Sequence, residues 1–263
     1  MPFPLRITPA AFAAALLSAF TFVPAVLGQV TEVPQTIEPG GVQIRMDAIS
    51  FGAQQDTSAP NQYKALALGT TIVSAGITDS LDMEFGAQLF LRDTFTTQGS
   101  EHTDSGIGDI SLRPKWTFWK DPSSGQEAAI IPYVMVPTNS SAVGNNFVEG
   151  GVIVPWSRDI AAGLKAGAMI EWDELRNEAN TRYDSRWYAS AMIKWSLGER
   201  IGAYAETTAS LSTAGTGADS GMLGGGVNLN LNGNFQWDFE LTRVLGSGQN
   251  QWTEVIRFRW KIL

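Results

Sequence analysis

The chain has no cysteine among its 263 residues. Disulfides, thiolate metal sites and a lipoprotein anchor are thereby excluded. Histidine occurs once, at His102. Charged residues make up 17%, against about a quarter in soluble globular domains. Lys and Arg number 18 against 26 Asp and Glu, a formal net charge of −8. No basic run offsets that balance, so no nucleic-acid partner is expected. Long apolar runs are missing beyond the first thirty positions, although 44% of residues are hydrophobic. A membrane-spanning helix needs about twenty consecutive apolar residues, so a helical multi-span protein is excluded.

What the chain does have begins with residues 1–28, which read as a cleaved secretory signal. Arg6 supplies the positive start, Ala10 to Leu27 the apolar stretch, and Val26-Leu27-Gly28 the small-residue cleavage site. Residues 29–41 follow, containing Pro and Glu. They read as a loose periplasmic lead, the alternative being a plug folded into the domain behind them. That domain spans 42–263.

It alternates with period two, the pattern of strands. Twelve segments carry it: 41–51, 63–77, 81–96, 108–119, 127–137, 147–156, 160–172, 185–197, 200–212, 222–231, 235–245 and 252–263. The least patterned is 127–137, apolar on both faces and interrupted by Pro132 and Pro137. Connections alternate short and long. Short turns are expected at Thr78-Asp79-Ser80, Ser157-Arg158-Asp159, Gly198-Glu199 and Asn232-Gly233-Asn234, with a longer turn at Lys120–Gln126 on the same end; the opposite end carries longer loops, including 97–107. The nine tryptophans cluster at segment ends rather than mid-segment. Short turns, long loops and two indole bands are the pattern of a transmembrane β-barrel.

The clearest segment is Asp104 to Trp119, DSGIGDISLRPKWTFW. Ile110, Leu112, Pro114, Trp116 and Phe118 share one face; Asp109, Ser111, Arg113, Lys115 and Thr117 share the other. An apolar outside and an ionic inside suit a strand between hydrocarbon and a wet lumen. Gly106-Ile107-Gly108-Asp109-Ile110 followed by Leu112-Arg113-Pro114-Lys115-Trp116 resembles the GxGD…LR.K(W/Y) signature of a family of bacterial outer-membrane barrels. That family is labelled after the MetA pathway of phenol degradation, or simply as transporters. The resemblance implies residence in a Gram-negative outer membrane and passage of small aromatic or hydrophobic solutes. It marks Gly106, Gly108, Asp109, Arg113 and Lys115 as the family motif.

The same alternation assigns an inward face elsewhere. Gln43, Arg45 and Asp47 fall inward on the first segment. On the second, Leu66, Leu68, Thr70 and Ile72 are expected to face lipid. Asp82, Glu84 and Arg92 point inward on the third; Lys165 and Glu171 on the seventh; Arg186, Tyr188 and Lys194 on the eighth. Tyr204 and Glu206 follow on the ninth, Asp238 and Glu240 on the eleventh, Arg257 and Arg259 on the last. Opposed acidic and basic walls either pair and close the lumen or line an aqueous path with charge selectivity. About twelve strands is a size at which both occur, and inward Gly, Ser and Thr leave space for a path.

No catalytic constellation is legible. His102 sits beside Glu101 and Asp104 in an expected loop, without a nucleophile and an orienting group at readable spacing. The expectation is therefore a non-enzymatic barrel of about twelve strands, without cofactor or metal. Its partners are outer-membrane lipid and a small solute. The alternative is a closed structural or adhesive barrel.

Overall fold

The computed structural model describes residues 31–56, 61–138, 143, 147–177, 181–212, 220–245 and 249–262. The expected signal at 1–28 lies outside the described residues. Among the described residues, thirteen strands follow one another in a single antiparallel sheet. They are β1 (Val42–Asp56), β2 (Gln62–Thr78), β3 (Leu81–Thr97), β4 (Ser100–Gly106), β5 (Ile110–Asp121), β6 (Gln126–Val136) and β7 (Glu149–Ala161). Then come β8 (Leu164–Arg176), β9 (Tyr183–Ser196), β10 (Ile201–Ser212), β11 (Ser220–Asn232), β12 (Phe235–Leu245) and β13 (Gln249–Lys261). β1 pairs with both β2 and β13, so the sheet closes into a barrel, and closure pairs the wall strands on both sides. Of the thirteen, β4 pairs only with β3; the other twelve form the wall.

β4 arises from a break in one long strand. The lower part of β3 pairs with β5, from Leu81↔Trp116 to Ala87↔Ile110. Its upper part pairs with β4, from Leu91↔Gly106 to Thr97↔Ser100. Between them Ile107, Gly108 and Asp109 leave the ladder, though Gly108 N still donates to Gln88 O at 2.9 Å. The expected loop 97–107 is thus a tight hairpin. Gln98 and Gly99 turn it with φ of 51° and 82°, the left-handed pair that matches strand twist.

The alternation holds around most of the wall. On β5, Arg113, Lys115 and Thr117 are buried inside while Leu112, Trp116 and Phe118 are exposed outside. β2 departs from it at Gly69, whose φ of +69° inserts a kink. Leu68 faces out as expected, but Thr70 and Ile72 are buried in the interior, correcting their expected lipid exposure. β3 changes phase beside it. Phe95 is buried against Tyr63, ring centroids 4.7 Å apart, which puts Arg92 on the outer, exposed face and corrects its inward placement.

Short turns occupy one end, among them Asp79-Ser80, Ala162-Gly163 and Gly233-Asn234. The β7–β8 turn falls at Ala162-Gly163, where Gly163 supplies φ +73°, rather than at 157–159; β7 simply runs further. The opposite end carries the longer connections, including 137–148 and 177–182. Trp116, Trp195 and Trp260 lie on the outer face near the short turns. Trp172 and Trp187 meet near the other rim with ring centroids 6.4 Å apart, and Trp252 rests on Phe51 at 5.5 Å. The segment 127–137 does form a strand. Pro114 and Pro132 fall where β5–β6 pairing lapses, so neither missing N–H interrupts a ladder bond.

Candidate functional site: the lumen

The inward side chains converge on a segment that enters from β1. Residues 31–38 run inside the barrel instead of forming a loose lead. Thr31 N donates to Glu206 Oε2 at 3.1 Å and its hydroxyl donates to Ser190 at 2.9 Å. Glu32 lies between two walls, 3.1 Å from Arg45 on β1 and 2.5 Å from Arg113 on β5. Thr117 Oγ1 donates to Pro34 O at 2.5 Å. Gln35 donates to Glu127 and to Ser157, and Ile37 N donates to Asp82 Oδ1 at 3.0 Å. The segment passes so close to β2 that a Cβ at Gly76 would collide with the carbonyls of Ile37 and Glu38. Burial opposes the charge on Glu32, but Arg45, Arg113 and Lys115 together hold its carboxyl well below the usual glutamate range.

Two motif residues complete this knot. Lys115 Nζ meets Glu84 Oε1 at 2.8 Å, and Arg113 Nε lies 3.2 Å from Glu84 Oε2. The motif's other part braces the opposite end. Asp109 Oδ1 accepts from Thr138 N at 3.2 Å, and Gly108 O accepts the Thr138 hydroxyl at 3.1 Å. The break between β4 and β5 thus pins the start of the 137–148 connection.

A second network spans the seam that closes the ring. Arg257 Nε meets Asp47 at 2.5 Å. Tyr204 OH donates to Glu240 Oε2 at 2.8 Å, and Arg257 Nη1 stands 4.0 Å from the same oxygen. Toward the long-loop end, Glu171 and Asp173 are both enclosed. Tyr133 OH donates to Asp173 at 2.5 Å, and Arg186 donates to Tyr188 OH at 3.2 Å. Between these polar levels lies an apolar one. Ile131, Ile153 and Met169 on β6–β8 pack with Met222 on β11, three to five strands further round the ring.

At the short-turn end the lumen opens into a vestibule of about 1470 Å³. Lys165, Lys194 and Arg259 line it, together with Arg45, Asp82, Glu84 and Lys115. Of the residues assigned inward from sequence, Arg92 alone is placed outside. Sequence pattern did not single out Glu32, because residues 29–41 carry no period. Arg45 and Asp47 were legible as inward but not as network members, and Tyr133 and Asp173 lie where apolar runs or a loop were expected. His102 stands on β4 with its side chain largely exposed and its Nε2 3.0 Å from Asp104.

The fold is shared with solved outer-membrane proteins of little sequence similarity. A NanC porin is 11% identical over 82% of this chain and 100% of its own, with a TM-score of 0.51. A structure described as the CymD monoaromatic hydrocarbon channel is 8% identical over 86% and 88%, TM-score 0.52. The translocator domain of autotransporter NalP from Neisseria meningitidis is 10% identical over 95% and 97%, TM-score 0.54. No curated protein matches the chain by sequence. The family described as "Putative MetA-pathway of phenol degradation" matches residues 32–262, so its span opens at the glutamate held between Arg45 and Arg113. This outer-membrane β-barrel belongs to that family.

Proposed function

We propose that the barrel is a passive channel for small aromatic solutes. The observation that carries it is a lumen of graded chemistry inside a closed twelve-strand wall. A polar vestibule of about 1470 Å³ leads past ionic side chains to Tyr204, Tyr188 and Tyr133, and to the Ile131–Met169–Met222 layer. A ring with a polar substituent matches both kinds of lining: apolar contact for its faces, hydroxyls and carboxylates for its edge. The family description names phenol degradation, and one relative of the same fold is a monoaromatic hydrocarbon channel. Those labels support the aromatic class by association.

Residues 31–38 stand across this route. Passage therefore requires the segment to shift, and its polar anchoring along both walls sets how readily it does. The same anchoring favours a second reading, a barrel closed by its own N-terminal segment and acting through its loops. Liposome swelling separates the two. Phenylalanine, a polar aromatic that does not cross lipid, should swell proteoliposomes faster than sugars of equal size. Absence of swelling with every solute, in the full chain and in a variant lacking 31–38, would leave only the closed barrel.

A further inference from the structure

The vestibule holds two cations, Lys194 and Arg259, without an ion pair among the described residues. Lys165 on β8 stands directly opposite Lys194 on β9, and Arg45 on β1 directly opposite Arg259 on β13. Like charges in register repel and destabilise a sheet. Two of the four have carboxylates of their own: Lys165 meets Asp159 at 3.2 Å and Arg45 meets Glu32 at 3.1 Å. Among the described residues, Lys194 and Arg259 make no side-chain hydrogen bond or ion pair, and Arg259 Nε is shielded from solvent without an acceptor. The one carboxylate acting on both is Asp238, which takes its hydrogen bond from Gln236 at 2.5 Å. Glu32 also acts on Arg259 but is already shared between Arg45 and Arg113, so Lys194 and Arg259 against Asp238 leave an excess of one positive charge at the edge of an open cavity.

We propose that this corner of the vestibule binds a small organic monoanion, a carboxylate, between Lys194 and Arg259. The guanidinium fork matches carboxylate geometry and the ammonium adds a point charge. One missing negative charge suits a carboxylate better than a phosphate dianion. The chain itself shows the arrangement one step away, where Glu32 inserts its carboxylate between Arg45 and Arg113. The position inside the lumen keeps lipid headgroups out. The site rests on the channel reading only for its purpose, since it would select acidic aromatic solutes as they enter or leave.

The test is fluorine NMR of 4-fluorobenzoate titrated with the detergent-solubilised full chain. 4-Fluorobenzyl alcohol serves as the neutral probe of similar shape. The fluorobenzoate line should broaden saturably and the alcohol's should not. Lys194→Met and Arg259→Met should each weaken binding about ten-fold, the loss of one charge-assisted hydrogen bond; Lys64→Met, at the far end, should not. Without ligand, Lys194→Met should unfold in urea no earlier than the wild type, because it removes a repulsion. Equal binding of acid and alcohol, or undiminished binding in both variants, overturns the site. Binding lost as predicted in a barrel that swells with no solute upholds the site and sinks the channel.

Discussion

Asp47 meets Arg257 across the seam that closes the ring, with both side chains almost wholly shielded from water. A buried ion pair adds little over apolar packing, but breaking one strands its partner. Asp47→Asn should therefore cost about 3–5 kcal/mol, read as an earlier urea unfolding midpoint. Glu32 is the other decisive residue. Its carboxyl is held below the ordinary range by Arg45, Arg113 and Lys115 against the pull of burial. A depressed folded value contributes fully at neutral pH and is lost as pH falls through it. Seating of the segment should thus survive mild acid and fail only below the ordinary glutamate range. Ser190 lies under Thr31, so Ser190→Cys reports that seating through the rate of labelling by a membrane-impermeant maleimide. In that background Glu32→Gln should speed labelling already at pH 7, while unchanged labelling would show that the charge does not hold the segment. Single residues were legible where alternation ran unbroken: Asp82, Glu84, Arg113, Lys115 and Arg257 all point inward. Arg92, Thr70 and Ile72 were not, because the φ of +69° at Gly69 switches phase without changing composition.

At the scale of elements, the strand of the family motif does two jobs from its two ends. The break at Ile107–Asp109 holds Thr138, Lys115 holds Glu84, and Arg113 holds both Glu84 and Glu32 of the N-terminal segment. The β3–β4 hairpin adds β4 to the sheet at the long-loop end, where the β3 arm stays paired with β2 as far as Gln62↔Thr96. Its His102–Asp104 contact is an exposed pair, worth about 0–1 kcal/mol. His102→Ala should leave heat-modifiable migration and the unfolding midpoint unchanged; a large loss would mean that the hairpin supports the wall. Twelve crossing strands could be counted from period and turn chemistry, even 127–137 with its prolines. The hairpin could not, since Thr97–Gly106 is polar throughout and shows no face. The N-terminal segment left still less trace. Its bonds run mostly through backbone groups and single polar side chains, which leave no periodic mark.

The whole molecule is a closed cylinder, apolar outside between two tryptophan bands and ionic inside. Closure removes free strand edges, and the bilayer, rather than a packed interior, takes up the apolar face. The interior is then free to be polar, provided its charges pair. They do so around Glu32, Glu84 and Asp47, whereas Lys194 and Arg259 in the vestibule have no ion-pair partner among the described residues. A chain without cysteine also makes engineered single thiols unambiguous reporters. The proposed channel has residues 31–38 lying in its path. It is tested most directly by planar-bilayer conductance of the full chain beside a variant lacking 31–38, both first shown to be folded by heat-modifiable migration. Small or rare steps are expected for the full chain and larger, long-lived steps for the variant. A folded variant that conducts no better than the full chain would contradict that expectation.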